Sequence, residues 1–131
     1  MTRLETTIKI DHWQESPTRE FNDGAKVAHA VVRLIEGKHG LTVGHMESVL
    51  HYTAEGTSSY VSVLRLEGEL DGRSGAFVAL GEGSYDGTTA GGTMRIGSGS
   101  GDLSSITGTI GGDSTHDDYP HMPLVIDYEL G

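Results

Sequence analysis

At 131 residues, with 20 glycines and a formal net charge of −10, the chain fits a single domain, residues 1–131, long enough for one sizeable core. The absence of cysteine excludes a disulfide framework, a thiol nucleophile and thiolate metal ligation, and it suits a reducing cytoplasm. Only 9 Lys and Arg are scattered through this acidic chain, which argues against a nucleic-acid partner, and no apolar run is long enough for a membrane helix or a signal peptide.

In chain order, Leu4 to Trp13 (LETTIKIDHW) alternates as a first strand with Ile8, Ile10 and His12 on one face. Gln14 to Gly24 (QESPTREFNDG), with its proline and Asn-Asp-Gly ending, reads as a loop. Lys26 to Glu36 reads as a strand on the strength of Val27, Val31, Val32 and Ile35, with a helix as the alternative. Gly37 to Gly40 is a turn, Leu41 to Thr53 a third strand, and Glu55-Gly56-Thr57 the next turn.

The strongest local signal follows. From Tyr60 to Leu70 side chains alternate, with Tyr60, Ser62, Leu64, Leu66 and Leu70 on one face and Arg65, Glu67 and Glu69 on the other. Asp71-Gly72 then separates this run from a second β-rich one beginning at Arg73. A type I′ turn needs φ > 0 at both central residues, which Asp and Gly tolerate, so the pair predicts a tight hairpin. A strand dry on one face and wet on the other belongs to an antiparallel sheet.

After Tyr85-Asp86-Gly87, a sixth strand is expected over Thr88 to Ile96, a loop over Gly97 to Asp102 and a seventh strand over Leu103 to Ile110. Gly111 to Pro120 is polar and acidic, and Leu124 to Leu130 alternates as an eighth strand. Eight strands without helices to cover them must close on themselves or split into two layers. The expected fold is all-β, a closed eight-stranded antiparallel barrel, and such a barrel encloses room for side chains or one small ligand. Glycine among short strands then marks turns, bulges and barrel corners.

The segments LEGELDGRSGAFV (Leu66 to Val78) and GSGSGDL (Gly97 to Leu103), with Trp13 and Glu15 near the start and Asp127-Tyr128-Glu129-Leu130 at the end, carry a further signal. Together they resemble a family of small bacterial proteins of unknown function with the allene oxide cyclase-like barrel fold. The resemblance implies an eight-stranded barrel, often oligomeric, whose relatives cyclise or isomerise hydrophobic small molecules in the lumen. It also marks departures: the family places a glutamate where this chain has Leu64 and a histidine near Gly81.

Parity extends the candidate lumen. With Leu64 and Leu66 inward, Tyr60 and Ser62 join them, as do Met46, Ser48, Leu50 and Tyr52 on the third strand and Leu124, Ile126 and Tyr128 on the last. An apolar cavity with a few hydroxyls is the usual composition of a small-molecule site. Tyr52, Tyr60 and Tyr128 are the candidate catalytic groups, able to orient a carbonyl or epoxide oxygen or donate a proton to it. Ser48, Ser62, Met46, Leu50, Leu64 and Trp13 are the candidate ligand contacts. The alternative is a filled core whose hydroxyls are satisfied by backbone or water.

Three clusters bring ionisable side chains together. His45, Glu47 and His51 share a strand face that points away from Met46 and Leu50, and so into solvent. His116, Asp117, Asp118 and His121 occupy an acidic loop, where solvation competes with cation binding. His12, Trp13 and Glu15 stand together where an acid–base pair or a lid at a barrel opening would be built. Neither the His45 cluster nor the His116 cluster specifies a metal site, and no cofactor is expected. Gly97-Ser-Gly-Ser-Gly lacks the lysine and following helix of a phosphate loop and is read as a tight bend.

The sequence thus predicts a barrel binding a small hydrophobic molecule, with cofactor-free isomerisation or cyclisation as its chemistry. A carrier or sensor, or a structural oligomer with a filled core, is the alternative. Val27, Val31, Ile35, Val61 and Val63 fall on the outward face, where a second copy would cover them.

Overall fold

The computed structural model describes residues 1–131 as eight strands without a helix. The strands are β1 (Thr2–Glu20), β2 (Lys26–Ile35), β3 (Leu41–Tyr52), β4 (Ser58–Leu70), β5 (Arg73–Tyr85), β6 (Thr89–Gly101), β7 (Thr107–Thr115) and β8 (His121–Glu129). Every neighbouring pair is antiparallel, and β1 pairs with both β2 and β8, closing the sheet into a barrel. Closure removes the edges that an open eight-stranded sheet would expose.

The central hairpin forms as its residues dictate. Asp71 and Gly72 have φ of 51° and 78°, the left-handed pair a type I′ turn requires, and Leu70 pairs directly with Arg73. Residues 26–35 form strand, not helix: side chains alternate between a buried row (Ala28, Ala30, Val32, Leu34) and an outer one that carries the β-branched Val27, Val31 and Ile35.

β1 corrects two expectations. Gln14–Gly24 is not all loop: β1 continues to Glu20, pairing with β8 over Thr2–Lys9 and with β2 over Lys9–Glu20. Pro17 is tolerated because this second half has only one neighbouring strand. The register also shifts between Ile10 and His12, with Asp11 as the extra residue. The bulge reverses parity, so His12 pairs with outward Arg33 while Trp13 and Glu15 pair with inward Val32 and Ala30. His12 therefore does not share the face of Ile8 and Ile10.

The far side shifts as well. β6 runs through Gly101, with a bulge at Gly97, where a loop was expected. β7 begins at Thr107, and Leu103 and Ile106 belong to the β6–β7 turn. Both are nearly fully buried and plug the barrel, which is why their apolar character imitates a strand.

Alternating strand direction gathers the β2–β3, β4–β5 and β6–β7 turns at one end and the other four at the opposite end. The first end is solid. Leu34, Leu41, Leu66, Leu70, Phe77, Leu103, Ile106 and Tyr128 belong to one continuous buried cluster.

Candidate functional site: a cavity at the open end of the barrel

The opposite end holds a cavity of about 480 Å³. Its walls come from every strand but β2: Ile10 and Trp13 of β1, Met46 to Tyr52 of β3, Ser58 to Ser62 of β4, and the facing ends of β5 to β8. Side-chain size explains why this end is hollow. Inward positions on β5 to β7 carry Gly81, Gly83, Ala90, Gly92, Gly112 and Ser114, whereas the same strands carry Phe77, Ala79, Ile96 and Ile110 deeper in. Some of these glycines are enforced by close approach. A Cβ on Gly83 would lie 2.7 Å from the Tyr60 ring, and one on Gly81 would lie 2.2 Å from the Thr93 carbonyl oxygen.

Several of the polar groups are paired. Ser48 and Ser62 face each other across β3 and β4, and their Oγ atoms are 2.6 Å apart. At the mouth, Glu15 accepts two hydrogen bonds: from the Tyr52 hydroxyl to Oε2 at 2.7 Å and from the Trp13 indole N–H to Oε1 at 3.2 Å. The Lys26 ammonium sits 5.0 Å from the centroid of the Tyr52 ring. Burial first, then the bond to Glu15, pushes the Tyr52 hydroxyl well above the ordinary tyrosine range. Tyr60 is raised by burial and, second, by the Asp113 carboxylate. Both phenols therefore keep their protons at neutral pH and can donate hydrogen bonds.

Across the mouth, the Tyr85 hydroxyl donates to the Gly87 carbonyl at 2.8 Å and lies 2.9 Å from His116 Nε2. With its proton on Gly87, Tyr85 accepts from an Nε2–H of His116. The two rings meet edge to face.

The structure thus gathers Trp13, Met46, Ser48, Leu50, Tyr52, Tyr60 and Ser62 around one cavity. It sets two expected members apart. Tyr128 lies at the solid end, 3% exposed, where its hydroxyl donates to Asp71 Oδ2 at 2.9 Å. Parity points Tyr128 inward as expected, but its height along the axis separates it from Tyr52 and Tyr60. Leu64 is completely buried in the core cluster and does not line the cavity. Tyr85 and Met94 join the lining; both were legible from the parity of Phe77 and Ile96 on the same strands.

The polar clusters separate too. Glu47 takes His45 at 2.8 Å and His29, from β2, at 3.0 Å, and these bonds hold its carboxyl below the usual range. His51 is not part of that set. Asp118 caps the backbone N–H of Thr115 at 2.8 Å, while His116 and His121 line the cavity. Nowhere do three or more ligating side chains come close enough to hold a metal ion.

Comparison with known proteins agrees with this architecture. A crystal structure of a protein with unknown function from the DUF3224 family of Shewanella oneidensis MR-1 superposes with a TM-score of 0.71, covering 99% of both chains at 20% identity. At that identity the likeness speaks for the fold alone. No curated protein matches the chain. The sequence model of the family described as "Protein of unknown function (DUF3224)" matches residues 4–126, so the chain belongs to this family.

Proposed function

We propose that the protein binds a small, largely apolar molecule in the open end of its barrel. The observation that carries this reading is the cavity itself: about 480 Å³, with Ile10, Met46, Leu50, Met94, Ile110 and Leu124 in its walls and serine, threonine and tyrosine hydroxyls set among them. A protein under no demand for a ligand fills such a space, since interiors pack to the density of organic crystals. Glu15 with Tyr52 adds a carboxylate and a protonated phenol at 2.7 Å, the parts needed to move a proton within a bound substrate without a cofactor. Isomerase- or cyclase-type chemistry follows if a substrate oxygen takes the place of Glu15 as acceptor.

Binding without turnover is the second reading. It is favoured by the engagement of both Glu15 oxygens within the protein, as in a clamp that holds the mouth. The experiment compares the wild-type chain with Ala90→Phe, which fills the cavity from an inward position of β6 without removing a hydrogen bond. Mass spectrometry of organic extracts should recover a bound compound from the wild type and not from the variant. Equal recovery from both, or none from either together with no thermal shift across an apolar library, refutes the cavity reading. Conversion of a recovered compound separates enzyme from carrier.

We also infer self-association through the outer face of β3 to β5. Val49 is directly opposite Val61, and Val63 opposite Leu80, and each is about half exposed. A symmetric partner would cover this strip.

A further inference from the structure

We propose that the ligand is a cationic amphiphile, an ammonium group held at the mouth with its hydrocarbon in the barrel; this rests on reading the cavity as a ligand site. Two observations point to that charge, and a third shows that a ring at the rim receives an ammonium. The first is the distribution of aromatics. Of the chain's 8 Trp, Tyr and Phe side chains, five, Trp13, Tyr52, Tyr60, Tyr85 and Tyr119, line this one cavity. Electron-rich ring faces around an opening attract quaternary and protonated amines.

The second is the sign of the fixed charge. No Lys or Arg lines the cavity, and the Glu15 carboxylate at its mouth is hydrogen-bonded to two of its lining residues. Several cations are committed elsewhere: Arg3 to Asp127, Lys9 to Glu36, Arg33 to Asp11 and Arg65 to Glu67. The net charge of −10 extends the same sign into solvent and concentrates cations near the opening.

The third is that the protein already places a cation on this rim. Lys26 lies over the Tyr52 ring at 5.0 Å. It shows that the ring receives an ammonium, and it is the one nearby group that an incoming cation would have to displace or adjoin. An amphiphile with a carboxylate head would meet Glu15 instead, with Lys26 and the imidazoles of His116 and His121 to oppose the repulsion.

The test uses three probes with the same chain, each below its micelle concentration: decyltrimethylammonium, decanol and decanoate. Trp13, the single tryptophan, reports binding at the mouth by its fluorescence, and calorimetry gives the affinities. The ammonium probe is expected to bind at least tenfold more tightly than decanoate, with decanol between. Glu15→Gln keeps an acceptor for Trp13 and turns an amide N–H toward the Tyr52 hydroxyl, which can accept it, and should reduce that ratio to about threefold. Lys26→Met should increase it, and Ala90→Phe should abolish binding. Decanoate binding as tightly as the ammonium overturns the charge assignment and leaves the cavity reading intact. So does ammonium binding that survives Ala90→Phe, which would mark an attachment to the acidic exterior. Failure of all three probes overturns both.

Discussion

Replacing Tyr128 with phenylalanine should cost stability and leave ligand binding untouched, in contrast to Tyr52. The Tyr128 hydroxyl donates to Asp71 Oδ2 at 2.9 Å, tying β8 to the turn that closes the β4–β5 hairpin. Phenylalanine preserves the buried ring, so no cavity term enters, and the loss is that of one hydrogen bond to a charged acceptor. Such bonds contribute about 1.5–3 kcal/mol, and Asp71 is exposed, so its carboxylate regains water and the lower end applies, about 1.5 kcal/mol. For a domain of this size that is a fall in Tm of roughly 4–7 °C. Asp71→Asn is the companion variant, since asparagine tolerates the positive φ of 51° and keeps the turn.

Urea unfolding of the two single variants and the double closes a cycle whose coupling should be about 1 kcal/mol or more. A pH arm adds an independent check. Burial, and second the bond to Asp71, raises the Tyr128 hydroxyl above its unfolded value of about 10. A raised folded value means that the contribution is fully present below about pH 10 and is lost as pH climbs through the folded value. The stability gap between wild type and Tyr128→Phe should therefore narrow in that alkaline range. Unchanged stability with lost ligand binding would refute the structural role and return Tyr128 to the site.

Ser48→Ala alone strands the Ser62 hydroxyl and should destabilise by about 1–2 kcal/mol, whereas the Ser48→Ala/Ser62→Ala double should cost clearly less than the two singles added, by urea titration; additive losses would show that the hydroxyls are not each other's partners. Replacing Val61 and Leu80 with lysine should change Tm by no more than about 4 °C, because surface changes are usually within about 0.5 kcal/mol each, and shift the protein to monomer in light scattering; a wild-type chain already monomeric at micromolar concentration contradicts the self-association.

Local chemistry made much of this fold legible in the chain. Asp71-Gly72 permits few turns other than the one found, and strict alternation along β3, β4 and β8 left one way to place Met46, Ser62, Leu66 and Ile126. What misled was irregularity: the bulge at Asp11 reversed the face of His12, the strand through Pro17 depended on a missing neighbour, and Leu103 and Ile106 were apolar because they stopper the barrel. Glycines in Gly81–Gly83 and Gly91–Gly92 suggested corners, when their further consequence is an empty volume.

Alternation with period two is a property of the single strand, so along the unbulged strands the sequence by itself determined which side chains face inward, including Tyr52, Tyr60 and Tyr128. Height along the barrel axis is set by stagger between strands and by turns far apart in the chain, and no local pattern encodes it. Only the tertiary structure therefore decided that Tyr52 and Tyr60 share a hollow end with Trp13 and Glu15, while Tyr128, equally inward, locks the solid one.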